Sequence, residues 1–352
     1  MNNNNKVILV TGGAGFIGSH TCLVLLENGY KVCVIDSFET SSPKSLKRVL
    51  EISRLKNQRA FLKIFKGSLC DRKFINDVFS YIYDFHQKID GIIHFAGLKA
   101  VQESIFNPLS YWKNNLQGSI NLIDVMNEYG CLNLVFSSSA TIYQNRDNDL
   151  LSEDSDLGPI NPYGNTKLCI EMLLKDLFKS KKKYWNFASL RYFNPIGAHE
   201  SGLIGENPID VPNNIFPLIS NTALGLQKVF RIYGKDWPTA DGTPIRDYIH
   251  IMDLAEAHLR ILEYLISNPS EYLNINIGTG KGTSVLELIQ IFERVNNIKV
   301  NYIFSERREG DSAYSVADNS LLVSKFNFSI KRNVEEMCRD GWKWRTNNPN
   351  GY

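Results

Sequence analysis

Val7-Ile-Leu-Val10 runs directly into Thr11-Gly-Gly-Ala-Gly-Phe-Ile-Gly18. Four apolar residues in a row, stopped at once by glycines, read as a buried parallel strand. Residues 19–28 then show helical periodicity, and Gly29 stands where a helix end favours glycine. Gly12, Gly15 and Gly18 therefore lie on a strand-to-helix turn. The first permits a tight turn, the second lets a pyrophosphate approach the backbone, and the third lets helix and strand pack closely. The helix N-terminus adds free N–H groups and partial positive charge. A second strand, Lys31-Val-Cys-Val-Ile35, ends in Asp36. A carboxylate at that tip can accept both ribose hydroxyls of NAD and repels the extra phosphate of NADP. A glycine turn or an acidic cap alone can be purely structural; strand, turn, helix and acid together point to NAD.

Strand and helix continue to alternate outward from this unit. Residues 60–65 read as a strand and 71–83 as a helix with an acidic start. Gly91-Ile-Ile-His-Phe95 is a buried strand opening into the small-residue loop Ala96-Gly-Leu-Lys99, which can pass under a cofactor. Residues 108–129 are helical by pattern, with Gly130 after them, and residues 132–136 form the next strand. This succession predicts an α/β fold of the Rossmann type, a doubly wound parallel sheet. Ligands of such sheets sit at the C-terminal strand ends, where Ser137-Ser-Ser-Ala-Thr141 emerges. A hydroxyl there serves a substrate, or a serine-rich loop satisfies its own backbone.

In Asn161-Pro-Tyr-Gly-Asn-Thr-Lys167, Tyr163 and Lys167 stand four residues apart, which stacks them on one helix face. An unperturbed tyrosine has a pKa of about 10 and is almost wholly protonated at neutral pH. A neighbouring ammonium favours the phenolate and makes it a usable base. This helix is expected to run to Phe178. The Lys181-Lys-Lys183 run after it reads as a solvated loop, and residues 186–192 as a further strand.

Beyond Phe193 the alternation loosens into a Gly-, Pro- and Asn-rich stretch at 195–217. This predicts residues 1–192 as an NAD-binding domain carrying the Tyr/Lys helix. Residues 193–352 form a smaller mixed α/β substrate domain, some segments of which return to the first. Within it, 252–266 reads as a helix and 272–277 as a strand. Residues 284–295 form a second helix, with Ser284 and Glu287 as a capping box. Arg307-Arg-Glu-Gly-Asp311 is a solvated face or a diphosphate grip, since arginine forms paired hydrogen bonds to phosphate.

The 352 residues carry a net charge of +2, which gives no support to nucleic-acid or anionic-membrane binding. The six cysteines are scattered, without a Cys-x-x-Cys, and read as reduced core residues of a cytoplasmic protein. The polar tail at residues 1–5 lacks the features of a signal peptide, and no apolar run reaches membrane-span length. The six histidines show no metal-ligand spacing.

The serine stretch and the Tyr/Lys stretch together resemble the extended short-chain dehydrogenases. Four further stretches narrow the likeness to the UDP-glucose 4-epimerase family, and it spans nearly the whole chain. They are His94-Phe-Ala-Gly-Leu-Lys-Ala100, Arg191-Tyr-Phe-Asn-Pro195, Arg246-Asp-Tyr-Ile-His-Ile-Met-Asp253 and Arg307-Arg-Glu-Gly-Asp311. The resemblance implies interconversion of UDP-glucose and UDP-galactose with a retained NAD, in galactose metabolism. It implies Tyr163 as the base for the sugar 4-hydroxyl, with carbon 4 giving a hydride to NAD and receiving it back on the opposite face. Lys167 then lowers the tyrosine pKa and holds the nicotinamide ribose, and Ser139 bridges tyrosine and sugar.

For NAD the resemblance implies Gly12, Gly15, Phe16, Ile17 and Gly18 at the pyrophosphate and Asp36 with Ser37 at the adenosine ribose. Phe95, Ala96, Gly97, Leu98 and Lys99 lie beneath the cofactor, and Asn114 and Phe193 are its remaining neighbours. For the UDP-sugar it implies Asn194, Asn214 and Ile215 around sugar and diphosphate, and Arg231, Ile232 and Tyr233 along the nucleotide. Arg246, Arg308 and Asp311 take diphosphate and uridine ribose, Tyr314 stands beside carbon 2 of the sugar, and a homodimer is expected. Three positions depart from the family pattern. Ser68 replaces an acidic residue near the adenine beside Leu69, Gln144 replaces a glycine after Tyr143, and Ser37 replaces an asparagine. A related 4,6-dehydratase would need an Asp-Glu pair after Thr141, where Ile142-Tyr143 stands. A non-catalytic NAD-binding scaffold would not need the Tyr/Lys pair.

Overall fold

A computed structural model describes all residues except 1, 2, 4, 145–149, 181–183, 210, 211, 213 and 309. The expectations for Lys181-Lys-Lys183 and for most of the tail concern residues outside that set. The chain opens with β1 (Val7–Thr11), α1 (Phe16–Glu27), β2 (Lys31–Asp36) and α2 (Pro43–Lys56). Then come β3 (Leu62–Lys66), α3 (Arg72–His86), β4 (Gly91–His94), α4 (Val101–Phe106) and α5 (Pro108–Tyr111). A π-helical turn at Trp112–Gln117 leads into α6 (Gly118–Tyr129), β5 (Asn133–Ser139), α7 (Pro162–Lys179) and β6 (Asn186–Tyr192). The remainder holds β7 (Asn194–Ile196), α8 (Ile215–Ala223), β8 (Phe230–Tyr233), β9 (Ile245–His250), α9 (Ile251–Ser267) and β10 (Tyr272–Ile277). It ends with β11 (Gly282–Ser284), α10 (Val285–Asn296), β12 (Tyr302–Ser305), β13 (Tyr314–Ser315), α11 (Ser320–Phe326) and α12 (Val334–Asn347).

Seven strands form one sheet in the order β10-β6-β5-β4-β1-β2-β3. The pairs β1–β2, β1–β4, β2–β3 and β4–β5 are parallel, so the C-terminal ends of β1, β2, β4 and β5 lie along one edge. The order reverses between β1 and β4, which places a topological switch point beside the glycine turn. All five residues of β1 are buried, as a strand covered on both faces requires. One core packs helices onto the sheet through residues such as Leu9, Phe79, Leu122, Phe136 and Phe187.

The chain divides into two compact units. The first comprises Met1–Ile142, Pro159–Arg191 and Ala255–Ile275; the second comprises Tyr143–Gly158, Tyr192–Leu254 and Asn276–Tyr352. Relative to a boundary at Phe193, two stretches change sides. Tyr143–Gly158 joins the second unit, where the Tyr143 hydroxyl donates to Asn276 Oδ1 at 2.6 Å. Ala255–Ile275 joins the first because β10 completes the edge of the large sheet. The second unit has its own core around Phe216, Ile232, Tyr248, Phe292 and Met337.

The helix expected over 108–129 is interrupted by the π-helical turn. The extra residue of a π turn re-aims side chains, a device common at functional sites. Here it buries Asn115 and leaves Asn114 half-buried. Helix α2, which the sequence reading did not assign, starts at Pro43 with the Ser42 hydroxyl accepting from Lys44 N–H. No described helix is long and apolar enough to cross a membrane.

Candidate active site

The glycine turn has the backbone that its spacing predicts. Gly12 has φ +69°, and a Cβ there would meet Ala96 N at 2.7 Å. A Cβ on Gly18 would lie 2.2 Å from Gly12 O, so strand and helix approach too closely for any side chain. At Gly15 the nearest obstacle to a Cβ is Gly12 O at 3.4 Å. Gly15 is also the N-cap of α1 and supplies no side-chain cap, which leaves first-turn N–H groups for an anion. Asp36 sits at the end of β2; its Oδ2 accepts from Ala14 N at 2.8 Å, and its Oδ1 from Phe38 N and Ser41 Oγ. A carboxylate offers about four lone-pair sites and three are taken here, so about one remains for a ribose hydroxyl. Cradle, helix terminus and carboxylate fit a dinucleotide.

The loop after β4 is held from both sides. Asn115 Oδ1 accepts from Leu98 N at 2.8 Å, and its Nδ2 donates to Leu98 O and to Thr166 Oγ1 on α7. His94 lies between Thr11 Oγ1 at 2.7 Å and Ser119 Oγ at 2.8 Å. Ser119 donates its own proton to Asn115 O, so His94 Nε2 donates to Ser119 and His94 Nδ1 accepts from Thr11. Burial drives the His94 pKa down to about 3, with the Lys167 charge adding to the shift, so the ring is neutral. Thr11 Oγ1 in turn accepts from Ala96 N. Sequence reasoning missed these supports, because all their partners except the pair Ser119 and Asn115 lie 17 to 85 residues apart.

Asn161 caps α7 by accepting from Gly164 N at 2.9 Å, with Pro162 at the first helical position. Tyr163 and Lys167 thus occupy the first two turns. A Cβ on Gly164 would lie 2.8 Å from Pro159 Cβ and 2.9 Å from Thr141 O. The missing side chain lets the helix start lie against the serine segment. Ser139 Oγ accepts from Thr141 N at 3.2 Å and from Thr141 Oγ1 at 2.9 Å, which turns its own proton elsewhere.

Burial raises the Tyr163 pKa, and the Ser139 hydroxyl acts in the opposite direction. Lys167 Nζ donates to Ser137 O at 2.6 Å and lies 4.9 Å from the Phe136 ring centroid and 5.7 Å from that of Tyr163. Burial lowers its pKa to about 7, opposed by Glu171. Desolvation of the phenol is thus the largest influence on Tyr163, ahead of the Ser139 hydroxyl.

Within the first unit the fold gathers Gly12, Gly15, Phe16, Ile17, Gly18, Asp36 and Ser37 around the glycine turn. Residues 95–99 reach it through Gly12, and Asn114, Ser139, Tyr163 and Lys167 belong to the same unit. Leu69 is a core residue, and Ser68 Oγ accepts from Cys70 N. Phe193 belongs to the second unit, where its N–H donates to Ile277 O.

The remaining candidates also lie in the second unit. Arg246 Nη2 reaches Asp311 Oδ1 at 3.4 Å, and its Nη1 donates to Ser312 O. The Arg308 guanidinium stacks 3.8 Å from the Tyr233 ring centroid. Arg307 is taken up by Asp236 at 2.9 Å and the Trp237 ring, so the two adjacent arginines differ in their partners. Arg231 is exposed, and Ile232 is wholly buried and can offer only its main chain. Asn194 Nδ2 donates to Asp247 O. Asn214 precedes α8 without capping it, leaving that N-terminus open beside Ile215. The Tyr314 ring packs over Gly282, where a Cβ would come within 3.5 Å of it. Asp247 is buried and accepts from Thr279 N, Gly280 N and Ala317 N, which fixes the loop after β10. No metal-ligating cluster occurs among the described residues.

A profile of the NAD dependent epimerase/dehydratase family matches residues 8–278. The chain is 45% identical over 345 residues to a UDP-glucose 4-epimerase of Bacillus subtilis (strain 168), covering 98% of each. Among solved structures it is similar to a UDP-glucose 4-epimerase of Stenotrophomonas maltophila with bound NAD and formylated UDP-arabinopyranose. The TM-score there is 0.91 at 41% identity, over 98% of this chain and 99% of the other. The enzyme of Bifidobacterium longum in complex with NAD+ and UDP gives TM-score 0.91 at 39% identity, over 99% and 100%.

Proposed function

The chain belongs to the NAD dependent epimerase/dehydratase family, and from that premise we infer that it interconverts UDP-glucose and UDP-galactose with NAD as cofactor. The observation that carries the reading is the stacking of Tyr163 and Lys167 on the first turns of α7, with Ser139 set against the phenol. NAD supplies a hydride acceptor whose ring carries positive charge. Tyr163 takes the proton of the sugar 4-hydroxyl, and Ser139, its oxygen already occupied by Thr141, donates its one proton toward the phenol oxygen that the sugar hydroxyl meets. Lys167 holds the phenolate by its charge and, through Ser137 O, stays fixed to β5. Asp36 selects NAD over its phosphorylated form, because two anions at one site repel.

The UDP group is assigned to Arg246, Arg308, Asp311 and the open N-terminus of α8 at Asn214–Ile215; guanidinium groups and helix N-termini both favour diphosphate. Arg231, Tyr233, Asn194 and the main chain at Ile232 are placed along the same ligand. We assign the protein to the cytoplasm, and its cysteine chemistry supports this. All six thiols are free, and burial pushes Cys33, Cys131 and Cys338 up to about 12. We assign a homodimer to the first unit. Phe106 and Leu109 are 79% and 83% exposed on α4 and α5, and Met172 on α7 is 57% exposed, an apolar surface of the kind that partners cover.

Incubation with UDP-galactose and chromatography of the products tests the function, UDP-glucose being the expected product. The reaction is redox-neutral, so NAD is expected in the supernatant of heat-denatured protein. NADP there, or a stoichiometric demand for added NAD, would overturn the cofactor assignment.

A further inference from the structure

We propose that Glu171, gripped by Arg191, is a positioning residue that keeps the Lys167 side chain charged and fixes the serine segment carrying Ser139; this rests on the functional reading above. Three consecutive serines at the end of β5 meet three successive turns of α7. Ser137 O accepts from Lys167 Nζ at 2.6 Å, Ser138 Oγ donates to Glu171 Oε1 at 2.5 Å, and Ser139 interacts with Tyr163. Arg191 on β6 closes the clamp, with Nε to Oε1 at 3.1 Å and Nη2 to Oε2 at 2.8 Å. Ser138, Glu171 and Arg191 are 1%, 3% and 1% exposed, so salt hardly screens them.

A buried ion pair is weak evidence for stability, since apolar residues of like volume often serve as well. The position of this pair argues for a further role. Glu171 is four residues beyond Lys167, so its carboxylate lies one turn along the same helix face. The groups facing Lys167 are Tyr163 and Glu171 on α7, the neutral His94 on β4 and the Phe136 ring on β5. Arg191 on β6 stands behind Glu171. Among the described residues, Glu171 is the charged neighbour whose field opposes the loss of the lysine proton by burial.

The test uses the full-length, NAD-bearing protein and follows kcat and KM for UDP-galactose across pH. Turnover needs a protonated Lys167, so activity falls as pH rises through its pKa. Glu171→Gln removes the anion and is expected to move that alkaline limb down by about one unit, with kcat falling and KM little changed. Arg191→Met leaves the carboxylate unneutralised and is expected to move the limb up. A purely structural clamp would lower thermal stability in both variants and move neither limb. Limbs that stay in place, or move the same way in both, overturn the proposal.

If either single variant does not fold, Glu171→Met with Arg191→Leu replaces the pair by apolar packing. The limb should then move down, and an unmoved limb counts against the proposal. NMR titration of the Lys167 ammonium, taken as the difference from Lys167→Met, reads the same effect without turnover. The ammonium is expected to lose its proton at lower pH in Glu171→Gln. An inactive wild type would defeat the functional reading, and an unmoved titration would defeat this one.

Discussion

Tyr163 is a buried phenol whose surroundings, in the protein alone, favour the neutral form. On the proposed reading its oxygen is the atom on which proton transfer depends, while its ring mainly packs. Tyr163→Phe is expected to abolish epimerisation and leave NAD and UDP binding intact; activity within about tenfold of wild type, some 1.4 kcal/mol in barrier, would refute the base. Lys167→Met should raise the pH at which activity appears, because burial then acts on the phenol without a cationic neighbour. An unchanged profile would remove Lys167 from that role. Tyr314 concerns selectivity. If Tyr314 stands beside carbon 2 of the sugar, as the family resemblance implies, its full ring leaves little space for an N-acetyl group, and overpacking costs ~1–3 kcal/mol. UDP-glucose and UDP-galactose should therefore be preferred over their N-acetyl counterparts by about tenfold or more. Tyr314→Cys should narrow the gap, and equal specificity constants in the wild type would reject the idea.

At the scale of elements, the glycine turn and α7 were legible because each is local. The Gly12, Gly15 and Gly18 spacing and the Asn161-Pro162 start carry their own geometry. The π-helical turn was not legible, since residues 108–129 read as one continuous helix and only the demand of Leu98 and Thr166 for Asn115 reveals the extra residue. The Glu171–Arg191 clamp also stayed hidden, because its partners sit 20 residues apart on a helix and a strand. Gly164 offers a test of how closely α7 must lie. Alanine ordinarily favours a helix over glycine by ~1 kcal/mol, but a Cβ here meets Thr141 O at 2.9 Å, and such overpacking costs ~1–3 kcal/mol. Gly164→Ala is expected to lower Tm by a few degrees and to reduce kcat more than it raises KM. A variant as stable and active as wild type would show that the contact yields freely.

For the whole molecule, six strands of the large sheet were within reach of the sequence, through the alternation of strands and helices before Phe193. The assignment of Tyr143–Gly158 and Ala255–Ile275 was not, because it depends on which surface each segment meets after folding. If the apolar residues on α4, α5 and α7 meet a second copy, light scattering will give twice the chain mass. Leu109→Arg should shift that toward the monomer, since a buried unpaired charge costs several kcal/mol. A wild-type monomer at micromolar concentration would reject the dimer. The route of the backbone has a consequence for synthesis. The edge strand β10 lies beside β6 but ends 85 residues later, at Ile277. On a ribosome, β6 emerges with Phe187, Ala188 and Leu190, all destined for burial, and with an uncovered row of peptide groups. Until β10 leaves the exit tunnel, that edge is open to neighbouring nascent chains. A message truncated after codon 254 should accumulate as aggregates, whereas one extended through codon 277 should carry its own cover for the edge.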